Sequence, residues 1–467
     1  MQNRPTSKTT GGGTTTSLTY DQASNITSFT DPTGTVGYHY DNANRLIALD
    51  EPGGSCPGTL VFPNSTKCTG FSYDGNNRRT VTSYPNGVKN TTVYDNAGRI
   101  TSITATNTSA AVLAKRAYTY TTTGTSPIRD GALRKTMTTD TGTVTTYGYD
   151  AVKRLTSAAS GGTTDSRTYD ANGNRLTAAK TGTATDYYAY NAADQMCWYA
   201  STSGTCASPP SGATTYTYDA NGNTTAAGTT GTQTYNVFDQ FTSNTSGSTT
   251  TNYTYAGTRN DERLTAGSTS FLNGSLGITQ QTKTSGTTSF IRDPDGNLIS
   301  MRDASGNSYY YTADALGSTI LLTDSNQAKA ATYSYDSWGQ NTGTTGTQAA
   351  TNPWTYAGGY NDTTSNRIKF GARYYNPARG RFTQPDPSGR ETNRYAYVGC
   401  NPINATDVTG LSSEACGLSY LGLAAGLFLF VAAAPVTGGV SLFAAAQVAI
   451  GIGSLAVGAG LTVDSCI

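Results

Sequence analysis

The sequence predicts an all-β protein, a long coiling antiparallel sheet built from Tyr-Asp hairpins and ending in a short apolar helical C-terminal tail. Three observations predict it. Charged residues make up only 13% of the chain, while Gly reaches 53 and Tyr 32 against 12 Phe. Thr and Tyr suit a pleated, half-exposed surface, and Gly and Asn supply the positive φ angles of tight turns. An imperfect Tyr-Asp repeat runs through most of the chain, and between Glu414 and Asp464 there is no charged residue at all.

Length alone leaves room for one large β domain or for two or three ordinary ones across 467 residues. Low charge with many aromatics argues against intrinsic disorder. A formal net charge of +1 gives no electrostatic footprint for nucleic acid or anionic lipid. His39 is the only histidine, which removes most Ser-His-Asp, Cys-His and histidine-metal chemistries and leaves His39 as a strand side chain. No cofactor and no metal site are expected.

The seven cysteines form no Cys-x-x-Cys pair. Cys56 and Cys68 bracket one Pro/Gly-rich insertion and Cys197 and Cys206 a second, so each pair can staple its own loop in an oxidising compartment. Cys400, Cys416 and Cys466 leave an odd remainder. Polar Thr/Gly-rich sequence, not a signal peptide, follows Met1, so the chain reads as a fragment lacking its original N-terminus.

The clearest repeat copies run from Tyr40-Asp41 to Arg45-Leu46, Tyr94-Asp95 to Arg99-Ile100, Tyr149-Asp150 to Arg154-Leu155 and Tyr169-Asp170 to Arg175-Leu176. Weaker ones begin at Tyr20, Tyr73, Tyr218 and Tyr335, and Asn replaces Asp after Tyr190 and Tyr235. Each copy reads as a hairpin. Alternating residues before the Asp make a period-two strand, the Asp carboxylate accepts from turn amides, Asn/Gly reverses the chain, and Arg-Leu-Thr starts the return strand. Irregular spacing between copies favours a coiling sheet with inserted loops over a strict solenoid or propeller.

Residues 1–351 carry these hairpins. From Asn352-Pro353 the chain becomes richer in Arg, Asn and Pro, and 352–411 forms a separate block. In the remaining 412–467, two apolar Ala/Gly/Leu-rich segments, 418–434 and 440–463, meet or approach the roughly 20 residues that a membrane helix needs. The reading favoured is a helical hairpin in a bilayer; the alternative is a helical pair buried inside the β wall.

The repeats, together with residues 309–318 (YYYTADALGS), 373–382 (RYYNPARGRF), 386–389 (DPSG), 393–397 (NRYAY) and 401–404 (NPIN), resemble the RHS/YD-repeat family. The likeness spans roughly 15–411, and the ordered block from 309 onward is its specific part. It implies a spiralling sheet that forms a partial shell around a variable C-terminal segment, the chain's own cargo. It also implies a plug block and aspartate-dependent self-cleavage just after a motif of the type Asp-Pro-x-Gly-Leu. Polymorphic toxins and toxin-complex subunits belong to this family, so a secreted or cell-surface location follows.

That cleavage is chemically reasonable without metal or histidine, because one ionised carboxyl can activate water while a protonated one donates. Asp386 and Asp407 are the candidates, with Arg381 placed to hold one of them ionised and Leu411-Ser412 as the scissile bond. Two departures stand out: Val408 takes the place of the usual Pro in 407–411 (DVTGL), and Asn376 stands where the family has Asp. The competing reading makes both aspartates turn caps. No other catalysis is expected, since the tail lacks His, Lys and Arg, and paired-carboxylate glycoside hydrolysis finds only turn aspartates. The functional expectation is a scaffold that encapsulates or presents its C-terminal segment in toxin delivery or intercellular competition, with the membrane reached through 418–463. The alternative is a cell-surface adhesion protein whose Tyr and Thr strands bind glycans or another surface.

Overall fold

The computed structural model describes residues 4–11, 13–120, 131–229, 231–389, 391–411 and 414–415. Both predicted tail helices, 418–434 and 440–463, lie outside them, as do Ser412, Cys416 and Cys466. Among the described residues no helix is long and apolar enough to cross a membrane.

Thirty-one strands, from Ser7–Thr9 to Asn341–Thr345, form one antiparallel sheet in which each strand pairs with its sequence neighbours. The two end strands do not pair with each other, so the sheet stays open. It coils onto itself. The Thr10 hydroxyl donates to the Asn273 carbonyl (3.1 Å), the Tyr38 hydroxyl to the Arg292 carbonyl (2.8 Å), and the Asn90 amide to the Tyr311 carbonyl (3.0 Å). Early strands are thus laid in order against strands about 200 to 260 residues further on. Leu18, Phe29, Leu49, Val88, Ile291, Ile320 and Leu321 fill the space between these two layers.

One local device repeats along the coil. In the 41–45 turn the Asp41 carboxylate accepts from the amides of Ala43 (2.9 Å) and Arg45 (3.0 Å) and from Arg45 Nε (2.7 Å). Asn44 sits at φ 60°, and the ladder slips by one residue between His39 and Tyr40. That combination is a bulged hairpin whose last turn residue must take the left-handed conformation, which Asn and Gly tolerate.

Neighbouring hairpins are then bolted together. Arg78 lies 4.5 Å from the centre of the Tyr94 ring, whose hydroxyl donates to the Arg79 carbonyl (3.1 Å). Arg99 over Tyr120 and Arg154 over Tyr169 repeat the arrangement at 4.6 Å and 5.0 Å. The Tyr120 hydroxyl likewise reaches the Ile100 carbonyl (2.9 Å), and the Tyr169 hydroxyl the Leu155 carbonyl (2.7 Å). Each Tyr is therefore read by the hairpin before it, by its face and by its hydroxyl.

Disulfides join Cys56 to Cys68 and Cys197 to Cys206, with Cα atoms 5.2 Å and 5.5 Å apart. Cys400 is a buried free thiol.

After the last strand of the sheet, four short strands, Tyr360–Asp362, Arg367–Phe370, Arg373–Asn376 and Arg381–Phe382, form a second small sheet. Hairpins spread along most of the large sheet touch this block. Arg134 donates to the Ile403 carbonyl (2.6 Å), Tyr395 to the Gly222 carbonyl (2.7 Å), Arg263 to Asp362 (2.6 Å), and Tyr375 to the Trp338 carbonyl (2.7 Å). Its core is aromatic, with Phe370, Tyr375, Phe382 and Tyr397 packed together and each almost fully buried.

Candidate functional site

The chain from 407 to 411 lies across the turn between Arg367–Phe370 and Arg373–Asn376. The Ala372 amide donates to the Thr409 carbonyl (2.8 Å). Gly410 has φ 66°, and a Cβ there would stand 2.4 Å from the Phe370 carbonyl oxygen, so this close approach needs glycine. A sequence-level reason for the Gly-Leu pair follows: Gly410 lets the backbone come down onto the hairpin, and Leu411 emerges at its edge, partly exposed.

Asp407 is 2% exposed and Asp386 is fully buried. Asp407 Oδ1 accepts from the Leu411 amide and from the Thr409 hydroxyl, both at 3.1 Å. Asp386 accepts from the Ser388 amide (2.9 Å) and from the Ser388 hydroxyl at 2.8 Å and 2.7 Å from its two oxygens. The same hydroxyl is 2.6 Å from the Leu411 carbonyl oxygen. Both aspartates therefore cap turns, and both reach the Leu411 residue, one at its N–H and the other, through Ser388, at its C=O.

Arg373 lies between the two. Its Nη2 pairs with Asp407 Oδ2 (3.0 Å), its Nε donates to the Gly410 carbonyl, and its guanidinium carbon is 3.6 Å from the centre of the Phe382 ring. Burial pushes this guanidinium below its ordinary range, against the opposing charges of Asp407 and Asp386. For Asp386 the balance runs the other way. Burial raises its carboxyl, but hydrogen bonds from Ser388 and the charge of Arg373 outweigh that and leave it below the ordinary carboxylate range.

Arg381, expected beside one of these carboxylates, is engaged elsewhere. Its Nη2 donates to the Asp194 carbonyl (2.6 Å), and its guanidinium lies 4.9 Å from the ring centres of both Tyr190 and Tyr395. The cation at the carboxylates is Arg373, eight positions earlier in the chain. Strand alternation separates the two: Arg373 opens its strand facing Gly410, whereas Arg381 pairs with Asn376 across the next strand. Ser388 and Arg373 were both missed by sequence reasoning. The signal for Ser388 was present in the 386–389 run itself, where a hydroxyl follows Asp-Pro. Asn376 caps its own turn, its Oδ1 accepting from the Arg379 amide (3.3 Å) and its backbone carbonyl from the Gly380 amide (2.8 Å).

A coiled, open sheet of bolted Tyr-Asp hairpins around a buried aromatic block defines an RHS/YD-type shell protein. The family model described as Teneurin YD-shell matches residues 132–398, and an RHS Repeat model matches 23–55. The chain belongs to the teneurin YD-shell family.

Among curated proteins it is 33% identical over 131 residues to the tRNA3(Ser)-specific nuclease WapA of Bacillus spizizenii, covering 27% of this chain and 6% of that protein. It is 31% identical over 149 residues to salivary gland surface protein 1 of Aedes aegypti, covering 32% of this chain and 4% of that protein. The chain thus spans a small fraction of these relatives. Among solved structures, the TcdB2-TccC3-TEV crystal structure superposes with a TM-score of 0.68 at 17% identity, covering 85% of this chain and 21% of that one. The Photorhabdus luminescens Tc holotoxin pore gives a TM-score of 0.67 at 17% identity, covering 87% of this chain and 22% of that one. These likenesses show the fold.

Proposed function

We propose that this chain forms part of a toxin-delivery shell that holds the segment following Leu411 and frees it by cutting the Leu411-Ser412 bond. The observation that carries the reading is the convergence of Asp386, through Ser388, and Asp407 on Leu411. Hydrolysis adds water across that peptide. Asp386, the carboxyl held below its ordinary range, takes a proton from water as its oxygen attacks the Leu411 carbonyl carbon. Asp386 then returns that proton to the departing Ser412 nitrogen, while Asp407, paired with Arg373, fixes the Leu411 amide. The Ser388 hydroxyl, already at the carbonyl oxygen, donates to the charge that develops there. Arg373 positions Asp407 and Gly410.

Names of relatives support the same direction: WapA, 33% identical over 131 residues, is a tRNA3(Ser)-specific nuclease, and one solved neighbour is a Tc holotoxin pore. The apolar segments 418–434 and 440–463 make membrane insertion the effect of the released segment.

The test is the mass of full-length protein expressed in a bacterium. A fragment ending at Leu411, absent from Asp386→Asn and Asp407→Asn, supports the reading. An intact mass in the parent chain refutes self-cleavage and favours the second reading, an intact surface-displayed protein, which the likeness to the Aedes aegypti surface protein also favours. In that case glycan-array binding by intact cells is the next measurement.

A further inference from the structure

Strand register places three metal-ligating side chains, His39, Asp50 and Cys68, on one outer face, far in sequence from the plug block. Asp50 sits opposite Gly37 in the strand Gly34–Tyr40 and opposite Cys68 in the strand Cys68–Tyr73. Directly opposed residues project to the same side, so the Asp50 carboxylate shares a face with Cys68 and with His39, two residues beyond Gly37. A Cβ on Gly37 would lie 2.6 Å from Asp50 Oδ2, so glycine there is what lets the carboxylate lie down toward His39. His39 Nε2 and Asp50 Oδ1 are in direct contact.

The insertion after Asp50 returns over this patch and ties Cys56 to Cys68. One ligand atom from each of His39, Asp50 and Cys56 lies within 4.8 Å of the others. His39 is exposed, Asp50 and Cys56 are half-buried, and Cys68 is fully buried. A tetrahedral zinc ion holds its ligand atoms roughly 3.3–3.8 Å apart, given metal-ligand bonds of about 2.0–2.3 Å. The three atoms thus stand at most about 1–1.5 Å wider apart than that spacing, and Cys68 joins them through its bond to Cys56.

In the disulfide the two sulfurs are bonded to each other and are poor ligands, because it is the thiolate that binds metal. We propose that reduction of Cys56–Cys68 converts this staple into a site for a zinc-class divalent cation, with His39, Asp50, Cys56 and Cys68 as its four ligands. A dithiol reductant transfers two electrons and two protons to the disulfide, giving two protein thiols and the cyclic disulfide of the reductant. The cation then displaces those two protons and binds two thiolates, a neutral imidazole and a carboxylate. The loop between Asp50 and Cys68 stays tethered in both states, by sulfur-sulfur bonding in one and by the metal in the other. The chain's only histidine thereby acquires a role that an isolated strand residue would not have.

Cobalt(II) is the probe, because thiolate coordination gives it a charge-transfer absorption. Full-length protein carrying Cys416→Ser and Cys466→Ser is reduced with dithiothreitol, desalted without oxygen and titrated, beside an unreduced sample. The expected result is one cobalt per chain with the thiolate band in the reduced sample, none in the unreduced sample, and displacement by an equivalent of zinc. Cys197→Ser with Cys206→Ser leaves binding unchanged, whereas His39→Ala, an exposed substitution, weakens it at least tenfold and Cys56→Ser removes it. Uptake that is equal before and after reduction, or absent after it, overturns the proposal. So does reduced-state uptake that survives both His39→Ala and Cys56→Ser.

Discussion

The Ser388 hydroxyl lies 2.6 Å from the carbonyl oxygen of Leu411 while also touching both oxygens of Asp386. A hydroxyl has one proton to donate, and three acceptors surround this one. Its donation toward Leu411 therefore competes with donation toward the carboxylate. Ser388→Ala is expected to slow release of the fragment ending at Leu411 by about 100–1,000-fold, the scale seen when a donor to a developing oxyanion is lost. Asp386→Asn is expected to abolish release. Time-resolved mass spectrometry after induction measures both. Equal rates in Ser388→Ala and the parent would mean that the hydroxyl caps the turn and does nothing more.

The Arg154-Tyr169 bolt offers a stability test away from that site. Arg154 donates to Asp150 Oδ2 (2.6 Å) and to the Asp170 carbonyl (2.5 Å), and its guanidinium lies 5.0 Å from the Tyr169 ring centre. Tyr169→Phe removes only the hydroxyl and its bond to the Leu155 carbonyl, at a cost of about 1 kcal/mol. Arg154→Ala removes the stacking and the charge-assisted bonds and is expected to cost about 1–2 kcal/mol. Urea midpoints by tyrosine fluorescence give both values, and a double variant that costs less than their sum reports the coupling.

How far the sequence could be read follows from which interactions are local. The Asp41 cap spans four residues, so Tyr-Asp-x-x-x-Arg announces the turn, its carboxylate acceptor and its return strand. The Arg-over-Tyr contact joins Arg78 to Tyr94, and its irregular spacing hides it from any fixed period. The site divides the same way. Asp407 capping Leu411 is contained within one motif, but the choice of Arg373 over Arg381 depends on how the 368–375 hairpin meets the 407–411 segment. That is a long-range packing outcome, and one arginine reads much like another in sequence. The coil itself, with Tyr38 reaching Arg292, has no local signature beyond the alternation that makes a strand.

Turn conformations allow a stabilising change. Lys153 occupies the last turn position of its hairpin at φ 69°, where the corresponding residue of another hairpin is Gly98 at φ 80°. A side chain with a Cβ is strained in that region, whereas glycine is not. Lys153 is exposed, so Lys153→Gly loses little packing and is expected to raise stability by about 0.5–1 kcal/mol. Gly98→Ala should lower it by about 1–2 kcal/mol. The two shifts of the urea midpoint must have opposite signs. A loss of stability in Lys153→Gly would show that unfolded-chain entropy outweighs the relief of strain.

Lys369 gives the protein a pH dependence whose sign is fixed by burial. Its ammonium is enclosed in the small sheet, donates to the Asn260 and Gly371 carbonyls, and stands 5.3 Å from the Tyr374 ring centre. Burial pushes its pKa down to about 7, with Arg263 adding to the depression and Asp261 and Asp362 opposing it. In the unfolded chain the same amine titrates near its ordinary value of about 10.4. Between pH 7 and about 10 the unfolded state therefore binds one more proton than the folded state, and stability rises with pH by at most about 1.4 kcal/mol per unit. Above that window the buried tyrosines reverse the trend. Tyr255 and Tyr374, held protonated by burial in the fold, ionise more readily when unfolded, so stability falls. Lys369→Met has no proton to lose. Its urea midpoint is expected to vary less between pH 7 and 9 than that of the parent, and an equal slope in the two proteins would assign the dependence to another group.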